Sequence, residues 1–379
     1  MTPTAAAGRT AASVAGRWSA GLLAAAVAGV VIAPAPAVAA PVPAQAAPAA
    51  DCPAPVDQIV AETSWAQLRL APDLAWPTGR GRGIAIGVIG SGIDAAAPAL
   101  AGQVAAGADI VTGRGFANTD CLGEGTEMAG VAVARSRPGS GLVGIAPDAT
   151  VIPIRIAAVD GRQRSAQLAL GLQVAVSAGA TVVMLAGHVD LTDADVAAAI
   201  RAATARDVVV VVAADQLVGD GRIPGLLRVG AVDAANRLVG DYQPDTVDVL
   251  APGASVVTLS ANGSGEVVRT GSHLAVAFVA GLAALIRSAA AGLPAIAAAE
   301  QIKRTADRVG GVPPDPLTGW GLINPAEAVQ VQQDVVDPGV QPRPAAAARI
   351  DWNLTLIGLA LVGVLLAGWQ WRAAARRSG

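Results

Sequence analysis

Apolar runs alternate with amphipathic stretches along most of the chain. Short apolar runs predict buried strands, and the amphipathic stretches predict helices. The pattern predicts strands over 84–89, 150–156, 181–185 and 208–213, and helices over 127–135, 165–178 and 194–204. Strands this apolar are expected to be buried on both faces, which is typical of a parallel sheet covered by helices. The pattern therefore predicts an α/β fold with a mainly parallel central sheet.

A long, almost wholly apolar helix is predicted from Leu274 to Ala291. A helix without a wide polar face is expected to run through the core. After Asn324 the composition changes, and residues 330–350 are rich in Gln, Pro, Val and Ala, which is typical of an extended linker. The sequence contains no internal repeat and no phosphate-binding glycine-rich loop.

The first 39 residues have the layout of a secretory signal peptide. Arg9 and Arg17 precede an apolar run from about Ala20 to Ala33, and small residues follow up to Ala39. A retained N-terminal anchor is the alternative, but the run is short for a membrane span. We therefore expect residues 1–39 to be removed.

A second apolar run, residues 354–371, contains no charge and is about the minimum length that crosses a bilayer. Trp352, Trp369 and Trp371 flank it, and three arginines follow. The positive-inside rule predicts a single transmembrane helix over 351–372, a cytoplasmic tail over 373–379 and a main domain on the extracytoplasmic side. A buried core helix is the alternative, but the aromatic ends and the basic tail argue against it.

Charge and cysteine content exclude two classes of protein. Without the two arginines of the predicted signal peptide and the three of the tail, 26 basic residues become 21 against 29 acidic ones, a net charge near −8. The exported part therefore lacks the excess of basic residues that is typical of nucleic-acid-binding proteins. Two cysteines, Cys52 and Cys121, predict a disulfide in an exported chain, and without clustered histidines they cannot complete a zinc shell. We predict no cofactor.

Three glycine-rich blocks stand in order along the chain: VIGSGI over 88–93, DCLGEGT over 120–126 and GSHLAVA over 271–277. Further segments accompany them at Cys52 and over 64–68, 74–81, 144–149 and 319–325. This ordered set resembles the mycosins, membrane-anchored subtilisin-like proteases associated with the type VII (ESX) secretion system of actinobacteria. The resemblance runs from Cys52 to the C-terminus. It implies an N-terminal extension over 40–79 and a three-layer subtilisin-like domain over 80–329.

The catalytic places of that family carry other residues here. A serine protease needs a serine nucleophile, a histidine base and an aspartate that orients the histidine. By the resemblance, Gly90 stands at the aspartate place, Glu124 at the histidine place and His273 at the serine place. The resemblance thus implies that no member of the triad is intact. A carboxylate at a helix N-terminus, such as Glu124, is expected to be held ionised by the helix dipole.

Neighbouring places are altered as well. Ser272 lies one residue from the serine place, where its side chain turns away by about 100°, and we interpret it as a helix-capping residue. Gln216 stands where the family has the oxyanion-binding asparagine and carries the same amide on a longer side chain. The substrate-pairing strand becomes residues 186–188, which places the imidazole of His188 where the family leaves room for a peptide.

Glu124, His188 and His273 are all expected to lie near the cleft. A carboxylate and two histidines are plausible metal ligands. The alternative, which we favour, is a polar hollow without a metal, with an ion pair between Glu124 and His273. In the family the matching cysteines join the N-terminal extension to the loop before the catalytic helix, which supports a Cys52–Cys121 disulfide here.

The resemblance implies a function without catalysis. We expect a membrane-anchored pseudoprotease in a bacterial cell membrane that binds or braces the proteins of a type VII secretion membrane complex. The alternative is an active serine endopeptidase that processes secreted substrates, although the chain has only two histidines to serve as a base. A peptide-binding module that uses the cleft is a third hypothesis, and His188 argues against easy entry.

Overall fold

The computed structural model describes residues 52–335, in which strands and helices alternate along the chain. The strands are β1 Ala85–Gly90, β2 Ala108–Asp109, β3 Thr150–Arg155, β4 Val182–Leu185, β5 Val189–Asp190, β6 Val209–Ala213, β7 Leu217–Val218, β8 Leu226–Val232, β9 Val249–Pro252, β10 Val256–Leu259 and β11 Glu266–Arg269. The α-helices are α1 Trp65–Leu70, α2 Glu124–Val133, α3 Ser165–Ser177, α4 Ala194–Ala205, α5 Ser272–Ala289, α6 Ala295–Arg304 and α7 Pro325–Val335.

Seven strands form one sheet in the order β2-β3-β1-β4-β6-β8-β9. Every pairing within it is parallel, with Ala85 opposite Thr150 and Ile86 opposite Val182. The inner strands are buried along nearly their whole length, as their apolar sequences require. The predicted α/β fold with a mainly parallel sheet is therefore confirmed.

Helices cover both faces of the sheet. The cluster on one face contains residues of α2 and α5, and the cluster on the other contains residues of α3 and α4. Side chains alternate along β1 accordingly, so that Val88 packs in the first cluster and Ile89 in the second. Within residues 52–335, α5 is the one helix long and apolar enough to cross a membrane, and 72% of it is buried in the fold. It is the core helix that the sequence predicts.

The residues before β1 run along the surface of the domain and are fastened to the β10–β11 hairpin. Val56 and the segment 262–265 exchange backbone hydrogen bonds, and the backbone N–H of Val60 donates to the carboxylate of Glu266 at 2.9 Å. The indole N–H of Trp65 donates to the carbonyl of Ala254 at 2.9 Å. This part of the chain is therefore an ordered piece of the domain surface.

Several predicted segments lie outside the described residues: the signal peptide over 1–39, the transmembrane helix over 351–372 and the tail over 373–379. The predicted linker over 330–350 lies outside them from residue 336 onward. Its first six residues belong to α7, which continues to Val335.

Candidate functional site

The candidate site lies at the edge of the sheet where the parallel strands end. β1 ends at Gly90, β4 at Leu185 and β6 at Ala213, and the carboxyl ends of parallel strands meet at one edge. Clefts at this edge are the usual ligand sites of open α/β sheets. Helices α2 and α5 begin at the same edge and bring Glu124 and His273 to it.

Gly90, the last residue of β1, has no room for a side chain. A Cβ atom built on it would lie 2.8 Å from the Cβ of Ala186, closer than two such atoms approach. The next residue, Ser91, is buried, and its hydroxyl accepts a hydrogen bond from the backbone N–H of Gly125 at 2.9 Å. The end of β1 is therefore packed against the start of α2 and carries no acid.

Asp120 organises the turn that leads into α2. Its carboxylate accepts hydrogen bonds from the backbone N–H groups of Leu122, Gly123 and Thr126 and from the Thr126 hydroxyl. Gly123 is the cap residue and has a φ of 91°, a conformation that favours glycine. Burial raises the pKa of Asp120, although these hydrogen bonds oppose the shift. These bonds explain why α2 begins at Glu124, three residues before the predicted start at Glu127.

Glu124 is the first residue of α2, and the pKa of its carboxyl is raised. Burial is the main cause, the charges of Asp120 and Glu127 add to it, and His273 opposes it. In the pKa of this carboxyl, desolvation and two neighbouring carboxylates therefore outweigh the expected lowering by the helix dipole.

Glu127, which also lies in the first turn of α2, is the acid that pairs with His273. Its Oε2 lies 3.0 Å from the Nε2 of His273, and its Oε1 accepts a hydrogen bond from the Nε of Arg269 at 2.8 Å. The predicted ion pair between Glu124 and His273 is therefore wrong. Glu127 lies three residues after Glu124, and both belong to the first turn of α2, which is the sequence signal that could have identified it.

Ser272 does not cap α5. The cap residue is Gly271, no side chain makes a capping hydrogen bond, and Ser272 is the first residue inside the helix. The imidazole of His273 folds back over Gly271, where an added Cβ would lie 2.5 Å from the ring. The interpretation of Ser272 as a cap is therefore wrong, because the extended Gly271 already takes the cap position.

Two adjoining hollows, of about 380 and 350 Å³, open at this edge of the sheet. The first is lined by Gln216, Ser272 and His273, and the second by Gln216 and His188; Glu124 lines both. The structure thus places the candidate side chains of the cleft around two hollows that share Glu124, Gly187 and Gln216. Among the described residues, no group of three or more His, Cys, Asp or Glu side chains is arranged to hold a metal ion.

The two cysteines form a disulfide beside this site. Cys52 and Cys121 are bonded, with their Cα atoms 4.7 Å apart, and Cys121 lies three residues before Glu124. The predicted pairing is confirmed. The bond fixes the start of the described chain to the loop that leads into α2.

Comparison with known proteins identifies the relatives of this chain. The model of the subtilase family, peptidase S8, matches residues 81–321. The chain is 31% identical over 264 residues to the thermophilic serine proteinase of Bacillus sp. (strain AK1). The aligned region covers 68% of this chain and 64% of that protein. It is 27% identical over 284 residues to thermitase of Thermoactinomyces vulgaris, and that aligned region covers 73% of this chain and 99% of thermitase.

Solved structures of two mycosins share the fold. The MycP3 protease from the type VII (ESX-3) secretion system is 26% identical, with a TM-score of 0.63 over 76% of this chain and 96% of that one. MycP1 with its N-terminal propeptide removed is 25% identical, with a TM-score of 0.63 over 71% of this chain and 98% of that one. The resemblance to mycosins that the sequence predicts is confirmed.

Proposed function

Because this chain belongs to the subtilase family, we propose that it is a membrane-anchored mycosin-like pseudoprotease, a non-catalytic structural or binding component of a type VII (ESX) secretion membrane complex. The sequence carries the proposal: by the resemblance, Gly90, Glu124 and His273 are assigned to the places of the family's acid, base and nucleophile. A glycine cannot orient an imidazole. A carboxyl group does not carry a proton from serine to leaving amine as imidazole does.

The surroundings of these residues support the loss of catalysis. The imidazole of His273 lies 3.0 Å from the carboxylate of Glu127. His188 lines one hollow, whereas Ser272 lines the other. The chain has no third histidine to act as a base. Within the described part of the chain, Ser272 therefore lacks the hydrogen-bonded partner that activates a serine nucleophile.

The cellular location of the protein is part of the same proposal. We propose that the signal peptide over 1–39 is removed and that the helix over 351–372 anchors the domain on the extracytoplasmic side of the membrane. Two observations support this: the arginines that follow the apolar run, and the likeness to MycP3, a protease from a type VII secretion system. The partners are proteins of that membrane complex, and contact with them does not require a triad.

A fluorophosphonate probe tests the loss of catalysis. The full-length chain in detergent is treated with the probe beside thermitase as the positive control, and labelling is read by intact mass. We expect thermitase to gain the probe mass and this chain to stay unmodified. Covalent labelling of any serine would establish the alternative, an active serine endopeptidase.

Genetic complementation tests the role in secretion. The gene is deleted and replaced by the wild type, by Ser272→Ala or by a chain truncated before residue 351, and assembly of the secretion complex is followed on native gels. We expect Ser272→Ala to restore assembly as well as the wild type does, and the truncated chain to fail. Normal assembly in the deletion strain would overturn the proposed role.

A further inference from the structure

We propose that the carboxylate of Glu124 is the anchor of a binding site for a guanidinium or primary ammonium group that enters the cleft from outside the domain. The inference rests on the proposed function, because it assigns a ligand to a cleft that binds without cutting. It names a chemical class of ligand that two sources can supply: a free alkylamine, or the side chain of an arginine or lysine in a polypeptide.

Three carboxyl groups stand together at the start of α2, and two of them are satisfied within the protein. Asp120 accepts four hydrogen bonds from the turn that it organises. Glu127 binds Arg269 through one oxygen and His273 through the other. Among the residues that the structure describes, Glu124 forms no hydrogen bond or ion pair, and the favourable charge that acts on it is that of His273.

The unpaired carboxyl faces open space large enough for a ligand. Glu124 lines both hollows, and their volumes, about 350 and 380 Å³, lie in the range of small-molecule sites. The two hollows also share Gly187 and Gln216. A linear side chain that enters through either hollow therefore reaches the same carboxylate.

The charge around the hollows favours a cation. Asp190 and Asp215 line them together with Glu124, and Arg164 is the one arginine or lysine among the described lining residues. Glu124 is partly desolvated, is attracted by His273 and is repelled by Asp120 and Glu127. A cation beside Glu124 relieves that repulsion, and the attraction is stronger in a cleft than in bulk water.

Gln163 lies in the wall of the smaller hollow, which Glu124 also lines. Its side-chain oxygen is buried without a hydrogen-bond partner within the described structure, and its amide packs over Gly187 in the wall of the smaller hollow. A buried acceptor left unpaired is costly. A guanidinium group carries five N–H donors, which suits a site with one carboxylate and neutral amide oxygens at Gln163 and Gln216.

Binding of matched probes tests the proposal. The full-length chain in detergent is titrated into a fluorescein-labelled, end-blocked peptide Ala-Ala-Arg-Ala-Ala, and anisotropy is compared with that of the same peptide carrying citrulline, which keeps the shape and removes the charge. Agmatine is titrated by calorimetry as the free cation. We expect the arginine peptide or agmatine to bind, and citrulline to weaken peptide binding at least tenfold.

Variants identify the anchor. Glu124→Gln is expected to weaken binding of the cationic probe at least tenfold, whereas Glu62→Gln, an exposed carboxylate that does not line the hollows, leaves it unchanged. Melting temperatures of both variants verify folding. Binding of agmatine as tight as that of the peptide identifies a small amine as the ligand, and binding of the peptide alone identifies a polypeptide.

Two results would overturn the inference and leave the proposed function intact: no binding by either cationic probe, or equal binding by the wild type and Glu124→Gln. Cleavage of the peptide, read by mass spectrometry after the titration, would instead overturn the proposed function. The two failures are therefore distinguishable in one set of samples.

Discussion

The Nε2 of His273 lies 3.0 Å from the Oε2 of Glu127, and this contact joins the first turn of α5 to the first turn of α2. The two side chains are only 18% and 9% exposed. Arg269 occupies the other oxygen of Glu127. The pair holds the imidazole over Gly271, so the residue at the expected nucleophile place serves as a bridge between two core helices.

Removal of the shared carboxylate should destabilise the domain. We expect Glu127→Ala to lower the free energy of unfolding by about 1–3 kcal/mol, because it leaves His273 and Arg269 without their acceptor. Urea unfolding of the full-length chain in detergent, followed by tryptophan fluorescence, measures the change. The control is Glu300→Ala, which removes a carboxylate 48% exposed and paired with Lys303, with an expected loss below about 1 kcal/mol. Equal losses in the two variants would refute a structural role for Glu127.

A double-mutant cycle tests whether Ala186 leaves no room for a side chain at Gly90. Gly90→Ala should cost about 1–3 kcal/mol of stability, because its Cβ would lie 2.8 Å from that of Ala186. In Gly90→Ala/Ala186→Gly the clash is absent, so the loss should be smaller than the sum of the two single losses by about 1 kcal/mol or more. Strictly additive losses in thermal unfolding would show that the two positions do not contact.

Loss of the disulfide should weaken the whole domain. Cys52 and Cys121 are separated by 69 residues, and a loop of that length predicts a cost of about 4 kcal/mol when Cys52→Ser/Cys121→Ser replaces the pair. The hydrogen bonds of Val56, Val60 and Trp65 remain, so the segment should stay docked. Limited proteolysis measures docking, and chemical denaturation measures stability. Rapid cleavage before Trp65 at native conditions would mean that the disulfide alone holds this segment.

The sequence predicts the layers of this fold better than it predicts the bonds of the site. Apolar runs identify the inner strands and α5 because both are buried on all sides, and burial dictates composition. Glu127 is assigned only to a helix, because its partners Arg269 and His273 are more than 140 residues away. Ser272 is mistaken for the helix cap because serine is a common capping residue. Nothing in the sequence indicates that Gly271 takes the cap position in an extended conformation.

The pKa of Glu124 gives a pH test of its burial. Its folded pKa lies above the ordinary value of 4.5, so the folded chain retains this proton at pH values where the unfolded chain has lost it. Stability from the protonated carboxyl is fully present below pH 4.5 and is lost as pH rises through the folded pKa. Glu124→Gln, neutral at every pH, should therefore melt at a higher temperature than the wild type at pH 8 and at nearly the same temperature at pH 4.

Scanning fluorimetry of both chains from pH 4 to pH 8 measures that difference. The pKa of Asp120 is raised too, but Asp120 is present in both chains, so its own titration largely cancels. Glu62→Gln, at an exposed position, should show the same melting temperature as the wild type across the range. A constant offset between Glu124→Gln and the wild type at all pH values would mean that Glu124 is not held in a desolvated, negatively charged setting. The site proposed for a cation at the start of α2 would then lose its electrostatic basis.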